Sequence, residues 1–271
     1  MSSRSSRTAR TKAGALVASA AALLCAGLLQ PPPAAAATAP PGRTAAHATA
    51  AVLDLDAAGR APVIHGADRA YDTASIVKVD ILATLLLQAQ DKGRHLTARE
   101  RDLAEPMIRR SDNAAANALW RQIGRASGLA AANKRLGLGA TEGGPGGKWG
   151  LTRTTAGDQI RLLRAVFDPT GAAHPGSGGL DEKSRGYVSA LMSRVVPEQT
   201  WGVSAAGGAK SRKVLKNGWL QRTTTGRWDV NSIGRVTAGG HRYLVAVLSD
   251  GSASMSDGVR LVERTARSAL A

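Results

Sequence analysis

Ser75-Ile76-Val77-Lys78-Val79-Asp80-Ile81-Leu82-Ala83-Thr84-Leu85-Leu86-Leu87 is the stretch on which the fold turns. Wound as a helix, it carries apolar residues on nearly every side. That predicts a helix enclosed in a core rather than one laid on a surface. Asp72 or Thr73 can cap its start. Two charges interrupt the run. A buried ammonium is costly unless it is paired, so Lys78 needs partners and a task. Asp80 fits a structural ion pair and is given no catalytic role.

Outward from this helix the pattern divides. Toward the N-terminus, Ala51–Leu55 and Ala61–His65 read as strands around an Asp56-Ala57-Ala58-Gly59 turn. Toward the C-terminus, helices are predicted around Ala98–Arg109, Ala114–Gln122, Thr155–Phe167 and Asp181–Arg194. A glycine-rich loop separates them over Gly137–Gly150. Lys213–Leu220, Trp228–Val236 and Arg242–Leu248 then read as antiparallel strands, and Asp257–Leu270 as a closing helix. The expectation is an α+β fold: a five-stranded antiparallel sheet joining both ends of the chain, with flanking helices and an all-helical half over about 76–200.

The first residues belong to targeting rather than to the fold. Arg4, Arg7, Arg10 and Lys12 precede an uncharged, mostly apolar run from Ala13 to Leu29, and Ala34-Ala35-Ala36 offers a cleavage site. This is a signal-peptide layout over 1–36. The run is short and alanine-rich for a spanning helix, which favours cleavage over the alternative of a retained membrane anchor. A mobile lead-in is expected over 37–50, a single domain over 51–271, and a secreted product that can associate with the cell wall. Cys25 lies in the signal, so the mature chain has no thiol for a disulfide or a metal. Net charge is +16, about +12 without the signal. Aromatics are 3%, and no zinc finger, RNA-binding signature or basic helix occurs, which argues against nucleic acid. Anionic cell-wall polymers fit the basic charge of an exported protein better. No membrane association is expected after cleavage, and a monomer is expected.

Three short motifs carry chemistry. In Ser75-Ile76-Val77-Lys78, the serine and lysine share one helical face. The serine sits at the helix start, where free N–H groups favour developing negative charge. A serine hydroxyl needs a base, and a lysine of lowered pKa can be one. Ser111-Asp112-Asn113 lies between two helices. Ser111 can relay a proton, Asn113 can hold a substrate amide, and Asp112 can brace the loop; an ordinary N-cap is the plainer alternative. Lys216-Asn217-Gly218 lies on a strand. Gly218 lets a substrate lie against the strand edge. The Trp219 N–H can complete an oxyanion hole with that of Ser75. Lys216 supplies positive charge near a substrate carboxylate and Ser111.

Taken in this order, the motifs resemble those of class A β-lactamases and penicillin-binding proteins. Tyr71–Lys78, Trp149–Thr152, Trp201–Ser204 and Val230–Gly234 further resemble an actinobacterial serine-hydrolase branch of that family. The resemblance runs from about Val52 to the C-terminus. It implies a β-lactamase-like fold with the active site in a groove between a helical half and a sheet. It also implies an acyl-enzyme at Ser75, with Lys78, Ser111 and Lys216 catalytic and Asn113, Asn217, Gly218 and Trp219 binding substrate.

Two departures weigh on turnover. The deacylating glutamate of that family, in a Glu-x-x-Leu-Asn pattern, is missing. Glu142, the only acid between Asn113 and Asp158, is the one candidate for the task, on a glycine flank that gives it no rigid support. Asn217 replaces a hydroxyl residue that helps bind the substrate carboxylate.

The expected substrate is a β-lactam or a peptidoglycan-like peptide, with its amide hydrolysed. The alternatives are a D,D-peptidase-like or esterase-like activity, or a slow or non-catalytic penicillin-sensing or wall-binding module. His47, His65, His95, His174 and His241 show no metal-ligand spacing, so neither metal nor cofactor is expected. Trp149 and Trp201 can border the groove, and Arg222 and Arg227 can assist carboxylate binding, although packing and a solvated face are their default roles.

Overall fold

A computed structural model describes residues 45–58, 60–168, 170, 179–208 and 211–271. The signal segment, most of the lead-in, Cys25 and His174 lie outside the described residues.

Strand β1 (His47–Asp54) pairs with β2 (Val63–His65) and β7 (His241–Asp250). Next come β6 (Trp228–Ala238) and, at the far edge, β5 (Val214–Gln221), giving a five-stranded antiparallel sheet in the order β2-β1-β7-β6-β5. β1 begins earlier than its sequence suggests. His47–Ala50 pair with Val247–Asp250, so these residues belong to the sheet rather than to a lead-in. The small Ala48-Thr49-Ala50 run hides the alternation, yet Ala50 is fully buried.

Alternate residues of the sheet feed two cores, as the period of two requires. Ala51, Leu53, Leu244, Ala246 and Leu248 face one core, which holds the main helices. Ala50, Val52, Val245 and Val247 face the other, which is closed by Val262 and Ala266 of α7 (Met255–Ala269).

The helical layer comprises α1 (Val77–Asp91), α2 (Ala98–Arg109), α3 (Asn113–Gln122), α4 (Arg125–Leu136), α5 (Ala156–Phe167) and α6 (Glu182–Met192). α1 is enclosed: nearly every residue from Val77 to Leu87 is buried. α4 is absent from the sequence reading. Its Ala-rich surface has a weak apolar stripe, and its signal is the pair of left-handed glycines that bracket it, Gly124 (φ 91°) and Gly137 (φ 73°).

The start of α1 also differs from expectation. Asp72 lies in a two-residue strand, β3 (Tyr71–Asp72), paired with β4 (Arg153–Thr154), and its carboxylate holds Arg153 and Arg222 instead of capping a helix. A 3-10 turn, Ala74–Ile76, precedes α1, with no side-chain cap from Thr73.

Candidate active site

Ser75 sits in that 3-10 turn, half-buried, and its hydroxyl makes no hydrogen bond among the described residues. The turn is clamped from three sides. Thr73 N–H donates to the Thr152 carbonyl (2.8 Å). The buried Asn231 of β6 donates its side-chain NH2 to the carbonyls of Asp72 (2.9 Å) and Thr73 (3.1 Å), while its own oxygen accepts from Ser249 N–H (3.0 Å). The third side is β5. A Cβ at Gly218 would lie 2.6 Å from the Ser75 nitrogen and 2.8 Å from that of Ile76. Gly218 therefore makes room for the serine turn itself. Ala74 holds φ +46°, a strained value for a residue with a Cβ, of the kind that clusters at functional turns.

Next to Ser75 lies a buried relay. Lys78, without solvent exposure, donates to the Ser111 carbonyl (2.7 Å), Ser111 Oγ (3.0 Å) and Asn113 Oδ1 (2.7 Å). Its ammonium lies 4.7 Å from the centre of the Trp149 ring. Lys216, equally buried, donates to the same Ser111 Oγ (3.0 Å) and to the Asn217 carbonyl (2.8 Å). Ser111 adopts φ +59°, which turns both its oxygens toward Lys78. Asp112 caps α3 through Ala115 N–H (2.7 Å) and so braces the loop.

Burial lowers Lys78 to about 7, a shift that the Asp112 carboxylate partly opposes. Burial, and then the charge of Lys78, hold Lys216 well below an ordinary lysine. Two amines on one hydroxyl titrate as a pair, and one of them can be neutral near pH 7.

The sequence profile of the beta-lactamase enzyme family matches residues 90–271. This chain belongs to that family. The matched span begins after Ser75 and Lys78, so their assignment rests on motif and geometry. The curated relatives are proteins of Mycobacterium bovis and Mycobacterium tuberculosis named as the lipoprotein LppW. They are 28% identical over 179 residues, 64% of this chain and 54% of theirs. The chain thus spans about half the length of these relatives.

Among solved structures, an acyl-enzyme complex of a PBP-A mutant with penicillin G is similar at TM-score 0.67 and 22% identity, covering 83% of this chain and 89% of that one. The TLA-1 extended spectrum β-lactamase gives 0.69 at 16%, covering 83% and 92%. A β-lactamase from Streptosporangium roseum gives 0.65 at 20%, covering 82% and 91%. These likenesses show the β-lactamase-like fold that the sequence implies.

Within this β-lactamase-like frame, several residues differ from expectation. Asn217, expected to contact substrate, is buried and donates its NH2 to the carbonyls of Gln199 and Trp201 (both 3.0 Å). Its side chain is engaged with the loop behind β5. Asn113 engages Lys78 through its oxygen, which leaves its NH2 free. Trp219 is half-buried and lies against Trp201, ring centres 5.9 Å apart.

Glu142 stands exposed, without a side-chain partner among the described residues. Its flank is firmer than its glycines imply. Glu142 and Arg153 exchange both backbone hydrogen bonds (2.8 Å each), and Trp120 Nε1 holds the Gly146 carbonyl (2.8 Å). Asp112, not Glu142, is the carboxylate whose charge acts on Lys78. Over the Lys78 amine lies the Trp149 ring. Asn117, which fixes Trp149 Nε1 (2.7 Å), is a site-shaping residue that motif reading passed over, and Asn231, within the Val230–Gly234 stretch, had no role assigned to it.

Proposed function

We propose that this β-lactamase-family chain is an exported serine hydrolase that forms an acyl-enzyme at Ser75. The observation that carries the reading is the shared hydrogen bonding of Lys78 and Lys216 to Ser111 Oγ beside an unengaged serine. Neutral Lys78 takes the Ser75 proton as Ser75 Oγ attacks the carbonyl carbon of a β-lactam or cell-wall amide. The tetrahedral oxyanion is held by the N–H groups of Ser75 and Trp219. The latter is two residues beyond the Asn217 carbonyl that Lys216 reaches, and so on the same side of the strand. The C–N bond then breaks, and the proton passes from Lys78 through Ser111 Oγ to the leaving nitrogen.

Deacylation is slow with penicillins, because among the described residues no carboxylate bonds to the Lys78 amine, Asp112 acting on it through its charge alone, and the Trp149 ring lies over it. A slow acyl-enzyme serves penicillin sensing as well as hydrolysis, and this second reading shares the same first step. Export is supported by the basic and apolar N-terminal segment and by the lipoprotein name of the mycobacterial relatives. Among the described residues no helix is long and apolar enough to cross a membrane.

Intact mass after incubation with penicillin G and a chromogenic cephalosporin tests the reading. The expected result is a stable adduct that maps to Ser75 and is absent in Ser75→Ala. Undiminished labelling of that variant means another nucleophile.

A further inference from the structure

A cavity of about 480 Å³ lies between the Gly147–Leu151 turn and Leu220–Thr224, and Asn113 and Asn117 also line it. Among the described residues its charged lining is Lys148 and Arg222, with no carboxylate. Arg222 is already paired with Asp72 and lies 4.0 Å from Asp229. Lys148 is exposed, with no ion pair or side-chain hydrogen bond among the described residues.

Two side-chain acceptors of this cavity are engaged inside the protein. Asn113 Oδ1 accepts from Lys78 and Asn117 Oδ1 from Trp149 Nε1, each at 2.7 Å. Lysine and indole nitrogens only donate, so each amide keeps its NH2 free. Both amides thus face the cavity as donors beside the Lys148 ammonium, and its remaining side-chain acceptors are Gln221 Oε1 and the hydroxyls of Thr223 and Thr224. Nor does the cation ride on a loose segment. Lys148 N–H donates to the Pro145 carbonyl (2.9 Å), its own carbonyl accepts from Leu151 N–H (2.9 Å), and the next residue, Trp149, is pinned by Asn117.

We infer that this side of the groove selects an acyl arm bearing a negative charge, with Lys148 as the specificity-determining residue and the Asn117 NH2 as a second donor to that arm. The inference rests on Ser75 as the acylated serine and adds the substrate class.

Carbenicillin, benzylpenicillin and ampicillin carry on similar phenyl-bearing arms a carboxylate, no charge and an ammonium. At low ionic strength their second-order acylation rates, followed by intact mass, should fall in that order. Carbenicillin should lead ampicillin by about fivefold or more, the effect expected from two exposed charge contacts of opposite sign. Lys148→Gln should shrink this ratio to under about twofold, and Lys148→Glu should reverse it. Equal rates, ampicillin in the lead, or an order unmoved in both variants overturns the proposal. The same order should appear in calorimetric binding of the three compounds to Ser75→Ala. If none acylates the native protein, the nucleophile assignment fails, while the binding order still decides the role of Lys148. Binding without that order, or no binding at all, overturns the inference.

Discussion

Two ionisable side chains sit two residues apart on α1, both shut off from solvent, and their surroundings are opposite. Lys78 has three oxygen acceptors within 3.0 Å. Asp80 has none of the complementary kind. Neither of its oxygens finds a hydrogen-bond partner among the described residues, nor does Thr84 Oγ1 one turn on or the Asn133 amide from α4. Burial drives both groups toward neutrality. It brings Lys78 down to about 7 and Asp80 up to about 7, where the Asp158 charge adds to the rise and the neighbouring Asn133 amide, though outside hydrogen-bond geometry, offsets part of it. The ion pair that the sequence suggests for Asp80 is not formed. A shifted pKa alone therefore separates nothing. What marks Lys78 as a working group is its oriented partners and its place beside a groove, whereas Asp80 is enclosed among helices.

The sharpest way to break this contrast is to truncate both residues. Lys78→Ala should slow acylation of Ser75 by about 10²-fold or more, the usual cost of losing a general base, with the fold retained. Asp80→Asn should leave acylation within about twofold, because Asp80 touches no reacting group. An equal loss in both variants, measured by single-turnover mass labelling, dissolves the distinction.

A smaller effect sharpens the Asp80 side. Its folded pKa lies above the unfolded value, so the stability it contributes is full below about pH 4 and is lost as pH rises toward about 7. Asp80→Asn should match the native protein at pH 4 and exceed it by about 1–3 kcal/mol at pH 8, the scale of relieving an unsatisfied buried group. Denaturant unfolding at the two pH values checks this. A variant less stable at pH 8 would mean that the carboxylate has found partners, such as buried water.

The smallest effect is expected at Glu142. Glu142→Gln should change the lifetime of the penicillin adduct by less than about twofold, since a base out of place by even about 1 Å loses most of its value. Rapid penicillin turnover that is lost in this variant, with adduct trapped, would give Glu142 the deacylating role.

Much of the frame was legible before any coordinates. The all-round apolar run predicts an enclosed α1, and strand alternation predicts the C-terminal hairpins, because both depend on local period. The three motifs do lie together, Lys78 and Lys216 on the hydroxyl of Ser111 and Gly218 against the Ser75 turn. What stayed hidden depends on contacts between distant segments. That Gly218 admits the serine turn needs the distance from β5 to Ser75. The Asn231 clamp joins β6 to a loop 158 residues earlier. The diversion of Asn217 to Gln199 and Trp201, and the placing of Trp149 over Lys78, are tertiary choices that no spacing encodes. α4 escaped because its alanines fit helix and loop alike, leaving only its glycine ends as a signal.

The central claim is that a neutral Lys78, held by Ser111 and shifted by burial, activates Ser75. The pH dependence of the second-order rate of Ser75 acylation tests it most directly, because that rate reports the essential groups of the free enzyme. The rate should rise through neutral pH as Lys78 loses a proton, with an apparent midpoint near 7, and Asp112→Asn should move that midpoint downward by removing the carboxylate that opposes the shift. A rate flat from about pH 5 to 9, or a midpoint near that of an ordinary lysine at about 10, would contradict it.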